Sequence, residues 1–105
     1  MFVASTVSRT EKADIYADLA QFFEIGGDLE YVEPAGVTVA FMPAFEGATV
    51  CAVAVSVAHP KEPEFVREVG IRNALFKMEI GECISLPVPN RKEFAMQIAM
   101  AICRF

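Results

Sequence analysis

Apolar residues recur at two different periods along the chain, and each period predicts a different kind of element. Ile15, Leu19 and Phe22 follow one another at steps of three or four residues, which is the spacing of one buried helix face. We predict a first helix over residues 10–25, ended by the glycine pair that follows it. The stretch Ser8–Glu11 has the spacing of a capping box, which supports a helix start at this point.

Four segments have the composition of β-strands. Residues 29–33 and 37–42 are separated by the turn residues Pro-Ala-Gly, and a second turn leads into the longest strand, residues 49–58. Valine and cysteine alternate with alanine and serine along that strand, so one face is bulky and the other is small. A small face lets a helix or a neighbouring subunit approach closely, which predicts a central strand. Residues 2–7 predict a further short strand.

A second helix and an edge strand are predicted beyond the long strand. The histidine-proline pair at residues 59–60 ends the strand, because proline confines the residue before it to extended geometry. We predict a helix over residues 63–80, with Pro63 in its first turn and Gly81 after its last. Residues 83–88 then have the composition of an edge strand, where a proline is tolerated.

The third predicted helix is apolar on nearly every side. We place it over residues 91–104, where Asn90 and Glu93 form an N-capping pattern. Phenylalanine, isoleucine and alanine mark one face, and methionine and cysteine occupy much of the remainder. Such a helix must be covered on several sides, and a hydrophobic fraction of 54% is high for a chain of 105 residues. We therefore expect a homodimer.

The order of these elements predicts an α+β fold. We expect residues 1–105 to form a single α+β domain, with an antiparallel sheet of three to five strands packed by about three helices. No apolar stretch reaches the roughly 18 residues of a membrane span, and the N-terminus lacks the pattern of a secretory signal. The three cysteines are odd in number and widely spaced, which fits reduced thiols in a cytoplasmic protein.

Charge is divided unevenly along the chain, whose net charge is −5. Residues 1–50 hold eight acids against two bases, and residues 51–105 hold six acids against seven bases. Direct binding to nucleic acid requires a basic stripe, and none is visible. We therefore expect neither a nucleic-acid nor a membrane partner, and a protein with a basic surface fits better.

The first helix carries the acidic residues that are the best candidates for contact with a basic partner. Glu11, Asp14 and Asp18 recur at helical spacing, and we expect them on one face opposite the aromatic stripe. Together with Asp28 and Glu30 from the following hairpin, they form the predicted partner-binding surface. An ordinary solvated helix face explains the same pattern, so both interpretations stay open.

Few residues point to catalysis or to a bound cofactor. His59 is the only histidine, and no nucleophile has a recognisable spacing to it, so we expect no catalytic residue. No pair of cysteines or histidines has zinc-ligand spacing, and no glycine-rich phosphate loop occurs, so neither a metal nor a cofactor is expected. Two alternatives stay open. One is a small enzyme using His59, and the other is a binder of a nucleotide signal at a subunit interface, with His59, Lys61, Arg67 and Arg72 as phosphate contacts.

The segment from Val57 to Lys77 resembles a motif found in small uncharacterised proteins of tailed bacteriophages. In that motif a hydrophobic strand leads into a proline-lysine-acid turn, followed by a phenylalanine and, five residues later, a glycine. The matching residues here are Pro60, Lys61, Glu62, Phe65, Gly70, Arg72, Ala74 and Lys77. The chain differs by one extra residue before Phe65, by glutamate in place of aspartate, and by Ile71 where a basic residue is usual.

The resemblance implies a phage origin and a role in the host cytoplasm. Small acidic phage proteins of this size are often inhibitors of host machinery, including anti-CRISPR and other anti-defence proteins. The function implied is that of a non-enzymatic inhibitor, which binds a host protein complex such as a CRISPR effector through an acidic surface.

Overall fold

Four strands form one antiparallel sheet, and three helices pack against its two faces. The computed structural model describes residues 9–58 and 67–103. The strands are β1 (Asp28–Val32), β2 (Val37–Pro43), β3 (Val50–Val57) and β4 (Ile84–Pro87), hydrogen-bonded in that order. The helices are α1 (Arg9–Glu24), α2 (Arg67–Glu79) and α3 (Arg91–Cys103). The predicted α+β fold, with three helices and a small antiparallel sheet, is confirmed.

The connection between β1 and β2 differs from the prediction. The Pro-Ala-Gly turn between β1 and β2 is a short 3-10 helix, Glu33–Ala35, closed by Gly36 in the left-handed conformation at φ 67°. A Cβ atom at Gly36 would lie 2.8 Å from the Cβ of Ala58, so both the conformation and the space favour glycine. The predicted strand 2–7, the start of the capping box and residues 59–66 lie outside the described part of the chain.

The first sheet face carries α1 and α2, which pack on its small side chains. Ala40 of β2 and Ala54 of β3 are buried against Ala74 of α2, which confirms that the small face of the long strand receives a helix. The apolar stripe of α1 is also buried here, together with Ile71 of α2. The buried members of this core are Ile15, Leu19, Phe22, Leu29, Ala40, Ala54, Ile71 and Ala74.

The second sheet face carries α3 over β1 and β2. Its core joins the bulky residues of β2 and β3 to Ala95 and Ala99 of α3. Phe94 meets Phe41 edge to face, with ring centroids 5.9 Å apart. No described helix lies over β4, whose four residues are all exposed.

Polar contacts between α1 and α2 fix how the two helices run. The ammonium of Lys12 lies 3.8 Å from the Glu68 carboxylate, and the Tyr16 hydroxyl donates a hydrogen bond of 2.6 Å to the same carboxylate. Arg72 lies 3.4 Å from Glu11. These contacts join the first half of α1 to the first half of α2. The second halves also lie together, since Phe22 of α1 and Met78 of α2 line one cavity with Met42 of β2. The two helices therefore run in the same direction, and their C-terminal ends lie at the same end of the molecule.

Candidate functional site

A groove opens between the second halves of α1 and α2. We call it the α1–α2 groove. Its volume is about 740 Å³, which is within the range of protein binding sites. Apolar side chains from both helices and from β2 form its floor, and acidic side chains stand around its rim. The lining residues are Asp18, Gln21, Phe22, Glu24, Ile25, Met42, Leu75, Met78 and Glu79.

Among the described residues that line the groove, the charged groups are three carboxylates. Asp18, Glu24 and Glu79 make no hydrogen bond or ion pair with any residue in the described part of the chain. Four acids elsewhere in the described chain, Glu11, Asp28, Glu33 and Glu68, are each paired with a base, as Asp28 is with Arg91 at 2.9 Å. The groove therefore offers three uncompensated negative charges around an apolar surface.

The two helix ends increase the negative potential at this site. Both helices end in the sequence Glu-Ile-Gly, and Gly26 and Gly81 each adopt a left-handed conformation, with φ of 100° and 80°. The following amides close the same six-to-one hydrogen bond, since Gly27 N–H donates to the Phe22 carbonyl and Glu82 N–H donates to the Lys77 carbonyl. A helix C-terminus carries a partial negative charge of roughly half an electron, so two of them reinforce the three carboxylates.

An acid in the last turn of a helix is unfavourable, and two of the rim carboxylates stand there. Glu24 ends α1 and Glu79 ends α2, and each costs about 0.3–1 kcal/mol in that position. Two unfavourable positions at one site, without a compensating partner among the described residues, make this surface a candidate functional site. The repeated Glu-Ile-Gly was the sequence signal for these residues, and the sequence analysis missed it.

A second depression continues the groove around the end of α1. It shares Glu24 and Ile25 with the α1–α2 groove and is bounded by Phe45 and Glu46 from the turn between β2 and β3. Ile25 is 71% exposed and Phe45 is 72% exposed, which are high values for large apolar side chains. Arg91, which is paired with Asp28, also lines this depression. Apolar side chains, acids and one base therefore share an extended surface, which suits a chain segment better than a compact molecule.

The structure does not bring the five predicted partner-binding acids together. Asp28 and Glu30 lie on the sheet face opposite α1, because successive strand residues alternate and Leu29 packs against α1. Glu11 is engaged by Arg72. Only Asp18 lines the α1–α2 groove.

The acidic row of α1 is also placed differently from the prediction. At about 100° per residue, Asp18 is roughly 40° from Phe22 around the helix, so the row borders the buried stripe and is not opposite to it. Asp18 and Phe22 accordingly line the same groove. Asp14 is exposed on α1 outside this lining.

The described members of the predicted phosphate-binding set are occupied by carboxylates. Arg67 forms an ion pair with Glu33 and lies over the Tyr31 ring, 4.7 Å from its centroid. The hydrogen bond to Glu33 is the main reason that the pKa of Arg67 is raised. Arg72 is bound to Glu11, as described above. His59 and Lys61 lie outside the described residues.

Within residues 9–58 and 67–103, no group of three acidic, histidine or cysteine side chains is arranged to hold a metal ion. The same residues contain no helix with the length and apolarity to span a membrane. Cys51 and Cys83 are free thiols. Comparison with protein-family models, with curated proteins and with solved structures found no match to this chain.

Proposed function

We propose that this chain is a non-enzymatic binding protein, which takes up a basic, amphipathic segment of a partner protein in the α1–α2 groove. One observation carries the proposal: three unpaired carboxylates and two helix C-termini surround an apolar floor. An apolar ligand without charge would not satisfy the rim, and a hydrophilic cation would leave the floor uncovered. A segment with leucine-like residues on one side and lysine or arginine beside them satisfies both.

The two parts of the groove contribute differently to binding. Burial of apolar area on the exposed Ile25 and on the half-buried Met42, Leu75 and Met78 supplies most of the affinity, at about 25 cal/mol for each Å² removed from water. Each exposed carboxylate adds only about 0.2–1 kcal/mol to a pair with an incoming base. The charges mainly raise the association rate and select a basic partner over an acidic one.

The phage resemblance supplies the biological setting. We propose that the basic segment belongs to a host protein complex, such as a CRISPR effector, whose basic surfaces normally hold nucleic acid. An acidic protein that occupies such a surface inhibits the complex without any chemical step. The negative net charge of the chain supports this setting, as does the similarity of the segment from Val57 to Lys77.

A synthetic peptide tests the groove without knowledge of the natural partner. The probe is a peptide of about 15 lysine and leucine residues with leucine at helical spacing, and the same residues in scrambled order serve as its control. Calorimetry compares the wild-type protein with a groove variant and a matched variant of equal net charge. The groove variant is Asp18→Asn, Glu24→Gln, Glu79→Gln, and the matched variant is Asp14→Asn, Glu30→Gln, Glu93→Gln.

We expect the groove variant to bind the ordered peptide about 20-fold more weakly, within a range of about 3- to 160-fold, since three ion pairs of about 0.2–1 kcal/mol each are lost. The matched variant should change the affinity by less than about 3-fold, because the three acids that it neutralises lie outside the groove lining. Equal weakening by both variants would show that only net charge matters and would contradict the proposal. So would equal affinity for the scrambled peptide.

A separate experiment tests whether the natural partner is a CRISPR effector. Co-expression with a CRISPR effector should restore plaque formation by a targeted phage, and the groove variant should not. Full interference by the effector, combined with intact peptide binding, would reject this class of partner and leave the groove proposal standing.

A further inference from the structure

β4 is an edge strand whose outer side is neither charged nor covered by a described element. Ile84 is 66% exposed and Leu86 is 36% exposed, and both point to the sheet face that carries α3. Residues 83–89, Cys-Ile-Ser-Leu-Pro-Val-Pro, contain no ionisable acid or base other than the thiol. β4 carries neither lysine nor an inward-pointing charge, and its protection is limited to its length of four residues and to Pro87 at its end.

The hydrogen bonds of β4 show which backbone groups face outward. Val88 N–H donates to the Thr49 carbonyl at 2.7 Å, which makes these two residues a hydrogen-bonded pair. Pairs of this kind alternate along an antiparallel ladder, so Ile84 and Leu86 also direct their backbone groups toward β3. Ser85 therefore directs its N–H and its carbonyl away from the sheet, and Pro87 directs only a carbonyl.

We infer that β4 pairs with β4 of a second copy of this chain, around a twofold axis at Ser85. In this arrangement each Ser85 N–H donates to the Ser85 carbonyl of the other copy, and each Cys83 N–H donates to the other Pro87 carbonyl. Proline lacks an N–H, but its position at the end of the pairing removes only one bond from each side. The two sheets join into one sheet of eight strands.

The side chains of the paired strands bury one another. Ile84 stands beside Leu86 of the second copy, and the symmetric contact repeats this on the other side of the axis. The sheet face that these side chains occupy also carries α3, which leaves Met96, Met100 and Ile102 exposed. α3 lies over β1 and β2, away from β4, so these residues are not part of the pairing surface.

Charge favours a second copy of the chain at the β4 edge and disfavours a second copy in the α1–α2 groove. Each copy has a net charge of −5, so two copies associate most easily through a surface without charge. β4 offers such a surface. The α1–α2 groove, with three free carboxylates, repels a second acidic copy. The two surfaces therefore serve two different partners.

Light scattering at protein concentrations of about 10–500 µM tests the pairing with two variants and one control. We expect the wild-type protein to have twice the chain mass of 11.5 kDa. Ile84→Lys should raise the dimer dissociation constant at least about 100-fold, because the twofold axis brings two added charges into the interface. Ser85→Pro should do the same by removing both central hydrogen bonds, although its own N–H makes no bond to β3. Ile25→Lys, an equally exposed apolar residue in the groove, should leave the dimer unchanged.

An engineered disulfide between the two copies tests the pairing even where a substituted protein folds poorly. The two Ser85 Cα atoms would lie about 5.5 Å apart, which suits a disulfide. Cys83→Ser combined with Ser85→Cys should therefore form a covalent dimer under mild oxidation. A wild-type monomer across the concentration range would overturn the inference, as would a Ser85→Pro protein that remains dimeric. Because Ile84 and the groove lie on opposite sheet faces, neither result affects the peptide-binding test.

Discussion

Replacement of Glu24 and Glu79 by glutamine is expected to stabilise the folded protein. Both carboxylates stand in the last turn of a helix, where the dipole is negative, and neither has a partner among the described residues. Glutamine keeps the size and the helix propensity of glutamate and removes the charge. Most substitutions destabilise a protein, so an increase in stability from two changes at a proposed binding site is an unusual outcome.

The magnitude follows from the position of the two charges. Each acid at a helix C-terminus costs about 0.3–1 kcal/mol, so the double variant should gain about 0.6–2 kcal/mol in free energy of unfolding. In a domain of this size, each kcal/mol raises the melting temperature by about 4–8 °C. The gain should shrink as salt is added, because both groups are exposed and screened.

Urea denaturation at low and at high ionic strength measures this effect, with Asp18→Asn as the control. Asp18 lies on the same groove but six residues before the end of α1, so its neutralisation should change the stability by less than about 0.5 kcal/mol. A loss of stability in the double variant at low salt would refute the reasoning. It would show that the two carboxylates are held by favourable interactions, and the energetic reason for assigning them to binding would disappear.

Two further predictions concern residues around the groove. Tyr16 has its pKa raised to about 12, first by its hydrogen bond to Glu68, so the folded state holds this proton more tightly than the unfolded state. This contribution to stability is fully present below about pH 10 and is lost between about pH 10 and 12. Because Tyr16 is half-exposed, the contribution should not exceed about 1 kcal/mol. The free energy of unfolding of Tyr16→Phe should lack this pH dependence, and an unchanged pH dependence would refute the assignment. Gly27→Ala should cost about 1–3 kcal/mol, because the new Cβ would lie 2.5 Å from the Phe22 ring. Urea unfolding checks this cost, and the double variant with Phe22→Leu should recover part of it; a fully stable Gly27→Ala protein would contradict the close contact.

The sequence predicted the elements well, because each is specified by local pattern. The helical spacing of Ile15, Leu19 and Phe22 gave α1, and all three side chains are buried. The alternation of small and bulky residues along β3 identified which face receives a helix. Such patterns depend on neighbours within one element, and periodicity records them directly.

Contacts between different helices and strands were harder to predict from the sequence. Arg67 contacts Glu33, which is 34 residues away, and Arg72 contacts Glu11, which is 61 residues away. Helical spacing points instead to partners one turn along α2, and no local rule identifies a partner on another element. The direction of α2 relative to α1, which brings two acidic helix ends together, depends on such contacts.

The division of the predicted acidic surface could have been found from the sequence. Glu30 follows Leu29 in a strand, so the two must lie on opposite faces of the sheet. Because α1 buries Leu29, Glu30 cannot share a surface with the acids of α1. The prediction grouped these acids by charge along the chain and did not apply the two-residue period of the strand.

The most direct test of the proposed groove is a nuclear magnetic resonance titration with the ordered lysine-leucine peptide. We expect the largest amide and methyl shifts at Phe22, Ile25, Met42 and Met78, with small shifts at Ile84 and Leu86. In the groove variant these shifts should require a much higher peptide concentration. Shifts that are confined to the α3 side of the sheet, or that are spread evenly over every acidic residue, would contradict the account.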